Sequence, residues 1–337
     1  MIKKTYEKFK IFMEKEYKFI IFVFILYVGL TYPLPYYIHT NGGLINVTER
    51  IEINNQYEKS GSINLSYVSE IKGTVLTYLL SFIIPNWDLK DGEEKISSNE
   101  SYEDTVNRSR ILLEEANANA AIVAYQKAGK EVKINSSRLY IVSVDKEADN
   151  SLEVGDEVIS INKELVSNID EYREVVSKYN EGDVLIIEVI DKNNKKKTRK
   201  AKIFVLENYK LTGVYAVSNY DYETVPDIEF NFKKSEMGPS GGLMTSLAIY
   251  NKLSSEDLTK GLTVVGTGTI DIKGNVGEIG GVEYKLKGAV NAKADLFIVP
   301  IGENYDEVIK LVKANNYKIK IVGVSTFDEA LKYLKDM

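Results

Sequence analysis

A stretch of 20 consecutive residues without a charged side chain restricts the fold of this chain more than any other feature. It covers residues 19–38 (FIIFVFILYVGLTYPLPYYI). A helix needs about 20 predominantly apolar residues to cross the hydrocarbon core of a bilayer. The stretch carries tyrosines towards its end, and tyrosine favours the membrane–water interface. The sequence therefore predicts one transmembrane helix, an anchor, over residues 19–38.

Two other interpretations of this stretch are weaker. A cleaved signal peptide has a shorter apolar core and a small-residue cleavage site, which the residues after Gly29 do not provide. A buried core helix would contain polar interruptions.

Residues 1–18 carry six lysines and three glutamates, so the positive-inside rule predicts a cytoplasmic head there. The expected location is the cell membrane, with the chain after about residue 40 on the extracellular face.

The composition excludes several classes of hydrolase. The 337 residues include no cysteine and one histidine, His39. A thiol nucleophile, a disulfide framework and zinc sites built on cysteine or on two histidines are excluded, and we expect no metal and no cofactor. A net charge of −6 offers no attraction for nucleic acid. The sequence has no G-x-x-x-x-G-K-[ST] phosphate loop, so we do not expect it to bind ATP.

Residues 60–135 combine a strand, a short apolar segment and a long helix. Alternation over Ser62–Val68 is typical of a strand. The apolar segment Val75–Ile84 is too short to cross a membrane. Residues 88–104 are acidic and serine-rich, which indicates a loop, whereas Tyr102–Lys130 is rich in Ala, Glu and Leu and favours a helix.

Residues 136–206 follow a different pattern of strand, turn, strand, short helix and two further strands. Within this order, the segment Val154–Asn162 (VGDEVISIN) resembles PDZ domains. A PDZ domain binds an extended peptide as an added strand beside an exposed strand edge. The resemblance implies peptide contacts from Leu139, Tyr140 and Ile141. A PDZ-like spacer without a ligand is the alternative.

Glycines surround Ser240 in the segment Met237–Met244 (MGPSGGLM), where an expected strand gives way to an expected helix. Small neighbours allow a substrate backbone to approach a serine hydroxyl. The start of a helix also offers free N–H groups to a developing oxyanion. Ser240 is therefore a candidate nucleophile. A serine that only caps the helix is the alternative.

A serine nucleophile needs a base, and a desolvated lysine can accept a proton near neutral pH. The sequence predicts a helix over Val282–Ala292, with an apolar stripe that includes Val282 and Leu286. At about 100° per residue, Lys285 borders this stripe, whereas Lys287 points further outward. Lys285 is therefore the candidate base. A surface lysine whose stem covers apolar surface is the alternative.

Three segments together resemble the proteolytic domain of Lon proteases, and the resemblance covers about residues 213–337. They occur in the order and close to the spacing of that family. The segments are Gly238–Gly242, Thr267–Val276 and Ile279–Leu286.

The family pattern implies a role for each matching residue. Ser240 corresponds to the nucleophile and Lys285 to its base. Thr267 corresponds to the threonine that orients the lysine, and Gly238 and Gly241 support the site.

Two positions depart from this pattern. Lon proteases often carry an acidic residue where this chain has Met237, and usually a glutamate where it has Thr269. Neither change touches Ser240 or Lys285, so the departures concern the finer contacts with substrate.

The order of anchor, helical segment, PDZ-like domain and Lon-like domain resembles the membrane-anchored PDZ–Lon-like serine proteases (YlbL/SepM type). The resemblance implies an α/β (α+β) proteolytic domain built from residues 60–135 and 207–337, with a PDZ-like β-rich domain inserted between them. It implies an ATP-independent serine endopeptidase that cleaves peptides or unfolded protein segments, and a ring-shaped homo-oligomer. The alternative function is a catalytically inactive, PDZ-based, peptide-binding membrane scaffold.

Overall fold

The computed structural model describes residues 2–91 and 102–337. Its α-helices, in chain order, are α1 (Ile2–Thr31), α2 (Val75–Ser81), α3 (Tyr102–Lys127), α4 (Ile169–Ser177), α5 (Gly242–Leu253), α6 (Val282–Asn291), α7 (Glu303–Asn315) and α8 (Phe327–Asp336). The strands are β1 (Pro33–Thr40), β2 (Leu44–Asn46), β3 (Ile51–Ile53), β4 (Ser62–Ser66), β5 (Ser69–Thr74), β6 (Trp87–Asp91), β7 (Glu131–Val144), β8 (Glu157–Ile161), β9 (Glu164–Leu165), β10 (Val184–Ile190), β11 (Lys196–Lys202), β12 (Phe204–Leu206), β13 (Tyr209–Leu211), β14 (Val214–Val225), β15 (Ile228–Phe230), β16 (Thr263–Gly266), β17 (Thr269–Ile270), β18 (Val276–Gly277), β19 (Leu296–Pro300) and β20 (Lys320–Val324).

The chain divides into two units. The first contains Met1–Asn41 and Ser69–Lys95, and the second contains Gly42–Val68 and Ile96–Met337. In the first unit, β1 is the central strand of an antiparallel sheet in the order β5-β1-β6. The helix α2 connects the two outer strands.

The apolar stretch at residues 19–38 is not a single helix, contrary to the expectation from sequence. The helix α1 ends at Thr31, and β1 begins at Pro33. A proline disfavours helical conformation in the residue before it, and the extended chain after Pro33 gains two strand partners instead. Among the residues that the structure describes, no helix has both the length and the apolar character needed to cross a membrane.

The second unit is built on a sheet in the order β2-β4-β16-β19-β20, in which only the β2–β4 pair is antiparallel. Alternate side chains of a strand point to opposite faces. Leu296 and Ile298 of β19 join a core with residues of α3, α5 and α8. Phe297 and Val299 join a second core with residues of α6 and α7. The result is a mixed α/β fold with helices on both faces of the sheet.

A separate β-rich region forms its own hydrophobic core. Its main path of strands has the order β11-β10-β8-β7-β14, and α4 packs on it. Fully or almost fully buried members of this core are Leu139, Ile141, Val158, Ile161, Leu185, Ile187 and Val189. The region extends beyond the expected boundary at residue 206, because β14 lies in the same sheet.

Gly155 and Asp156 shape the turn before β8. Gly155 adopts a positive φ of 91°, which favours glycine. The carboxylate of Asp156 is buried and accepts hydrogen bonds from the backbone N–H of Glu153 at 2.9 Å and from Arg199 Nη2 at 3.2 Å. The pair therefore holds the turn that leads into β8.

Strands β7 and β14 form a long antiparallel ribbon that joins the β-rich region to the α/β fold. Their pairing runs from Val144 opposite Val214 to Glu131 opposite Val225. Both strands contact α3, and Ile111 of α3 packs with Val142 of β7 and Val217 of β14. The β-rich region is thus an insertion at the tip of this ribbon.

The segment at residues 60–135 is divided between the two units. Strand β4 pairs with β16, and α3 packs on α5, whereas β5, α2 and β6 belong to the first unit. In the predicted loop at residues 88–104, residues 88–91 belong to β6, because that strand pairs with β1. Residues 102–104 belong to α3, and the rest of the predicted loop lies outside the described residues.

Candidate active site

The loop before α5 presents Ser240 at the start of the helix. Gly238 has a positive φ of 101°, a conformation that side chains other than glycine rarely adopt. Its N–H donates to the carbonyl oxygen of Ser109 on α3 at 3.2 Å, which ties the loop to that helix. Ser240 is half-buried, so the loop holds its hydroxyl at the surface of the fold rather than inside it.

Thr267 links this loop to the central sheet. The residue follows β16 directly and is fully buried. Its N–H donates to the carbonyl oxygen of Ile298 on β19 at 3.0 Å, and its Oγ1 donates to the carbonyl oxygen of Ser240 at 3.1 Å. The next residue adds a second bond, because the N–H of Gly268 donates to the same carbonyl at 2.9 Å. The backbone of Ser240 is therefore fixed from the side of the sheet.

Lys285 lies on α6 with only 3% of its surface exposed. Its Nζ donates to Thr267 Oγ1 at 3.2 Å. Its own carbonyl oxygen accepts from Ser66 Oγ of β4 at 2.6 Å, which fixes the helix against the sheet at this residue. Burial lowers the pKa of Lys285 from 10.5 to about 8, because the interior disfavours the charged ammonium. A usable fraction of this lysine is therefore neutral near physiological pH.

Lys287 occupies a different environment on the same helix. Its Nζ lies 2.7 Å from Glu283 Oε1, one turn earlier, in an ion pair at the surface. Lys285 and Lys287 are therefore distinguished by burial and by their partners, as their positions on the helix predict.

Close packing requires small residues beside the serine. A Cβ on Gly241 would lie 2.8 Å from Leu65 Cδ2, and one on Gly242 would lie 2.8 Å from Ile270 Cγ2. The N–H of Leu243 then donates to the carbonyl oxygen of Gly268 at 3.1 Å. The first turn of α5 therefore lies directly against the chain that carries Thr267.

Ser240 and Lys285 are connected through Thr267. In the described part of the chain, Lys285 Nζ makes no hydrogen bond to Ser240 Oγ. Catalytic hydrogen bonds are often long or poorly aligned without substrate and tighten in the complex. The hydrogen of the Thr267 hydroxyl is directed to the Ser240 carbonyl, so this hydroxyl can only accept from the amine. This arrangement holds Nζ beside the loop that carries the serine.

Two backbone N–H groups remain available at this loop. Among the described residues, the N–H groups of Ser240 and Gly241 have no hydrogen-bond partner, whereas those of Gly242 and Leu243 are bonded. Free N–H groups at a helix start carry partial positive charge. The described chain holds no group of three or more histidine, cysteine, aspartate or glutamate side chains placed to bind a metal ion. The site therefore offers hydroxyl, amine and N–H chemistry.

The sequence did not indicate Glu115, a half-buried carboxyl on α3. Burial raises the pKa of Glu115 to about 7. The carboxylate accepts a hydrogen bond from Asn119 Nδ2 at 3.1 Å, and the same amide donates to the carbonyl oxygen of Ile270 on β17 at 3.2 Å. No sequence motif includes Glu115. Its burial results from the packing of α3 against β17, which the sequence alone does not show.

The predicted peptide contacts of the β-rich region are not at an exposed edge. Leu139 and Ile141 are fully buried, and the hydroxyl of Tyr140 donates to Glu157 Oε2 at 3.2 Å. Strand β7 pairs with β8 on one side and with β14 on the other. Strands β8 and β14 thus cover both edges of β7 at residues 139 and 140, and the peptide contacts of Leu139, Tyr140 and Ile141 stay a prediction.

Comparison with known proteins identifies the C-terminal region. Residues 233–335 match the Lon protease (S16) C-terminal proteolytic domain. Similar curated proteins include the Lon protease of Trichlorobacter lovleyi, 35% identical over 95 residues, and Lon protease 2 of Bacillus subtilis, 34% identical over 107 residues. The matches cover 28% and 31% of this chain, but 11% and 18% of those proteins. The chain thus spans less than a fifth of their length, and its C-terminal region is a Lon-type proteolytic domain, the domain of a serine peptidase.

Proposed function

We propose that this protein is an ATP-independent, membrane-anchored serine endopeptidase that uses Ser240 as nucleophile and Lys285 as base. The observation that carries the proposal is the buried Lys285 amine, which donates to Thr267 while Thr267 donates to the carbonyl of Ser240. A lysine without a carboxylate partner, with its pKa lowered by burial, can accept a proton that a surface lysine cannot.

The chemistry proceeds in two steps through an ester. Neutral Lys285 takes the proton of the Ser240 hydroxyl while Oγ attacks the carbonyl carbon of the scissile peptide bond. The protonated lysine then gives this proton to the leaving nitrogen, and an acyl-enzyme ester remains on Ser240. A water molecule transfers a proton to Lys285 and attacks the ester. Ser240 Oγ leaves and regains the proton, and the second product departs as a carboxylic acid.

The N–H groups of Ser240 and Gly241 are the proposed oxyanion donors. They lie on the residue that attacks and on the residue at the start of α5, where the helix dipole adds positive potential. Preorganised donors of this kind stabilise the charge that develops on the carbonyl oxygen in the transition state.

The expected substrates are peptides and unfolded protein segments. The sequence encodes no phosphate loop, so ATP-driven unfolding is not part of the proposal. The β-rich insertion is proposed to be PDZ-like, supported by its order of strands and helix and by the buried turn at Asp156. It would bind substrate through surfaces other than the covered edge of β7. The ring-shaped homo-oligomer stays a prediction.

The anchor and its orientation rest on the sequence. Residues 1–18 are rich in lysine, and the uncharged stretch at residues 19–38 follows. We propose that this part attaches the protein to the cell membrane with the catalytic domain on the extracellular face. Protease added to intact protoplasts should digest the chain beyond residue 40. Full protection of that part would contradict the orientation.

A catalytically inactive scaffold is the alternative, and a set of variants separates the two functions. Ser240→Ala should abolish both peptide cleavage and covalent labelling by a fluorophosphonate. Lys285→Arg should be nearly as damaging, because a guanidinium stays protonated and cannot take the proton. Lys287→Ala is the matched control and should keep most of the activity, since Lys287 is paired with Glu283 at the surface.

The measurements are the peptidase rate and the labelling of purified variants, with circular dichroism to verify folding. Unlabelled wild-type protein without peptidase activity would favour the scaffold. Near-wild-type activity of Lys285→Arg, or an inactive Lys287→Ala, would show that Lys285 is not the base.

A further inference from the structure

The first unit exposes an apolar surface at α2. Leu79 is 51% exposed, Phe82 72% and Ile83 75%, and Leu76 adds to the same surface. No residue of α2 is buried. Exposed apolar patches of this kind mark interaction sites on folded proteins. Leu76, Leu79, Phe82 and Ile83 are called the α2 patch below.

The α2 patch is a feature of the fold rather than of a frayed segment. At about 100° per residue, Leu76 and Leu79 lie about 60° apart around α2, and Phe82 and Ile83 follow directly after the last residue of the helix. The ring of Tyr78 contacts Tyr36 of β1, with the centroids 6.1 Å apart, and also Phe82 of the patch, with the centroids 5.1 Å apart. A capping box at Thr74 fixes the start of α2. The capping box and the contacts of Tyr78 thus hold α2 in place, and the side chains of Leu76 and Leu79 remain exposed.

The α2 patch begins where the apolar part of α1 ends. The N–H of Val75 donates to the carbonyl oxygen of Tyr32 at 3.2 Å, directly after the last residue of α1. On α1, every residue from Ile21 to Val28 is apolar and exposed. Eight consecutive residues cover all directions around a helix, so no single flat protein surface could bury them all. A bilayer surrounds a helix on every side and can do so.

The charges and aromatic residues of α2 fit the same environment. No charged residue occurs from Gly73 to Trp87, whereas Lys72 and Asp88 flank this segment. Trp87 is the single tryptophan of the chain, and tryptophan and tyrosine favour the membrane–water interface. An uncharged apolar segment that ends at a tryptophan fits the interface of a bilayer.

We propose that the α2 patch is a second membrane contact, which lies in the interface of the bilayer that holds α1. The occupant of the patch is lipid, not a second copy of the chain or another protein. This inference rests on the proposed membrane anchor and adds to it, because α2 is a separate segment that begins 44 positions after the end of α1 (75 − 31). With both α1 and the α2 patch in contact with lipid, two elements instead of one hold the first unit at the bilayer surface.

Tryptophan fluorescence tests the proposal on the full chain. Trp87→Phe gives a background without tryptophan, and Phe82→Trp in that background places a reporter in the α2 patch. Leu165→Trp in the same background is the matched control, because Leu165 is 80% exposed in the β-rich region. Each protein is reconstituted in vesicles of phosphatidylcholine and phosphatidylglycerol, with and without lipids brominated on the acyl chains.

The expected result is a blue-shifted emission and a several-fold loss of intensity with brominated lipid at position 82, and neither at position 165. Adding Leu79→Asp and Ile83→Asp should abolish the quenching at position 82. These side chains are exposed, so the fold should survive, and cleavage of a small peptide verifies this in the same sample.

Emission at position 82 that brominated lipid leaves unchanged would overturn the proposal. If that emission were also shielded from acrylamide, the patch would be covered by protein. Quenching that persists in the doubly substituted protein would overturn it as well. Sedimentation of the chain with the vesicles reports separately on the α1 anchor, and the peptidase rate reports on the proposed catalytic function.

Discussion

Within the described part of the chain, Lys285 has no acidic partner, and burial lowers its pKa. The side-chain hydrogen bond that the described residues offer it goes to the hydroxyl of Thr267, a neutral acceptor. A lysine in such a position is poised to exchange a proton near neutral pH, at the expense of fold stability whenever it is charged.

The rate of peptide cleavage should therefore depend on pH through Lys285. Below its pKa of about 8, the neutral fraction of Lys285 falls about tenfold per pH unit, and the rate should fall with it. Above that pKa the rate should reach a plateau. The measurement is kcat for a small peptide from about pH 6 to about pH 10. A rate that is flat or decreases with rising pH over this range would contradict the assignment of Lys285 as base.

The same residue should make the stability of the fold depend on pH. The pKa of Lys285 is about 8 when folded and 10.5 ordinarily, so between these values the unfolded chain binds the extra proton and stability rises with pH. Lys285→Met removes the charge and keeps a similar volume. It should raise Tm below about pH 8 while abolishing activity, and the gain should shrink towards pH 10.5. Equal Tm values for the two proteins at neutral pH would show that burial of Lys285 has no cost.

At this scale, the sequence indicated candidate site residues but not their surroundings. The resemblance to Lon proteases implied one site of Ser240, Thr267 and Lys285, and the structure brings the last two into hydrogen-bond contact. The hydrogen bond of Ser66 and the partial burial of Glu115 could not be predicted. Each depends on a contact between elements far apart in the chain, such as the bond from Ser66 Oγ to the carbonyl of Lys285.

At the scale of elements, α5 and β17 must pack closely for the site to form. A Cβ on Gly242 would lie 2.8 Å from Ile270 Cγ2 and 3.0 Å from the Ile270 backbone nitrogen. Gly242→Ala should therefore displace β17, and overpacking of this kind costs about 1–3 kcal/mol. We expect a lower Tm and a lower peptidase rate, because Thr267 directly precedes this part of the chain.

Gly280→Ala is the control for this substitution. Gly280 is exposed, and no atom lies within 4 Å of a Cβ built on it. Its Tm and rate should stay near those of the wild type. If Gly242→Ala were equally harmless in thermal unfolding and kinetic measurements, the packing of α5 on β17 would not limit the site.

The elements themselves were predictable where apolar periodicity is regular. The helix expected over Val282–Ala292 is α6, and the first of the two further strands expected after the short helix of residues 136–206 is β10. Strand β14 was not predicted, because its buried run includes the polar residues Ser218 and Asn219 and so does not alternate. Ser218 is buried there because its Oγ accepts from the N–H of Ile169 at the start of α4.

For the whole molecule, the β-rich insertion should be removable. Ser136 and Asp221 are paired across the β7–β14 ribbon. Replacing residues 137–220 by Asn-Gly should close the remaining ribbon as a two-residue hairpin. This variant should keep its cleavage of a small peptide but lose cleavage of an unfolded protein, because the insertion contributes binding remote from the scissile bond.

A variant that lacks only residues 137–205 is compared with the hairpin-closed variant. That change removes the β7 partner of the first half of β14 and leaves an unpaired apolar strand, which should promote aggregation. Size-exclusion chromatography and the two cleavage assays check both variants. A well-folded hairpin-closed variant that no longer cleaves the small peptide would show that the insertion belongs to the catalytic machinery.

The position of β4 in the sheet has a consequence for the order in which the molecule is made. Asn64 of β4 donates to the carbonyl oxygen of Val264 on β16, 200 residues later. At roughly 5–20 residues per second, a ribosome needs about 10–40 s to supply that partner. The core of the β-rich insertion lies within one continuous segment between these strands and can close in the meantime. A growing chain can therefore close the core of its insertion before Lys285 has been synthesised.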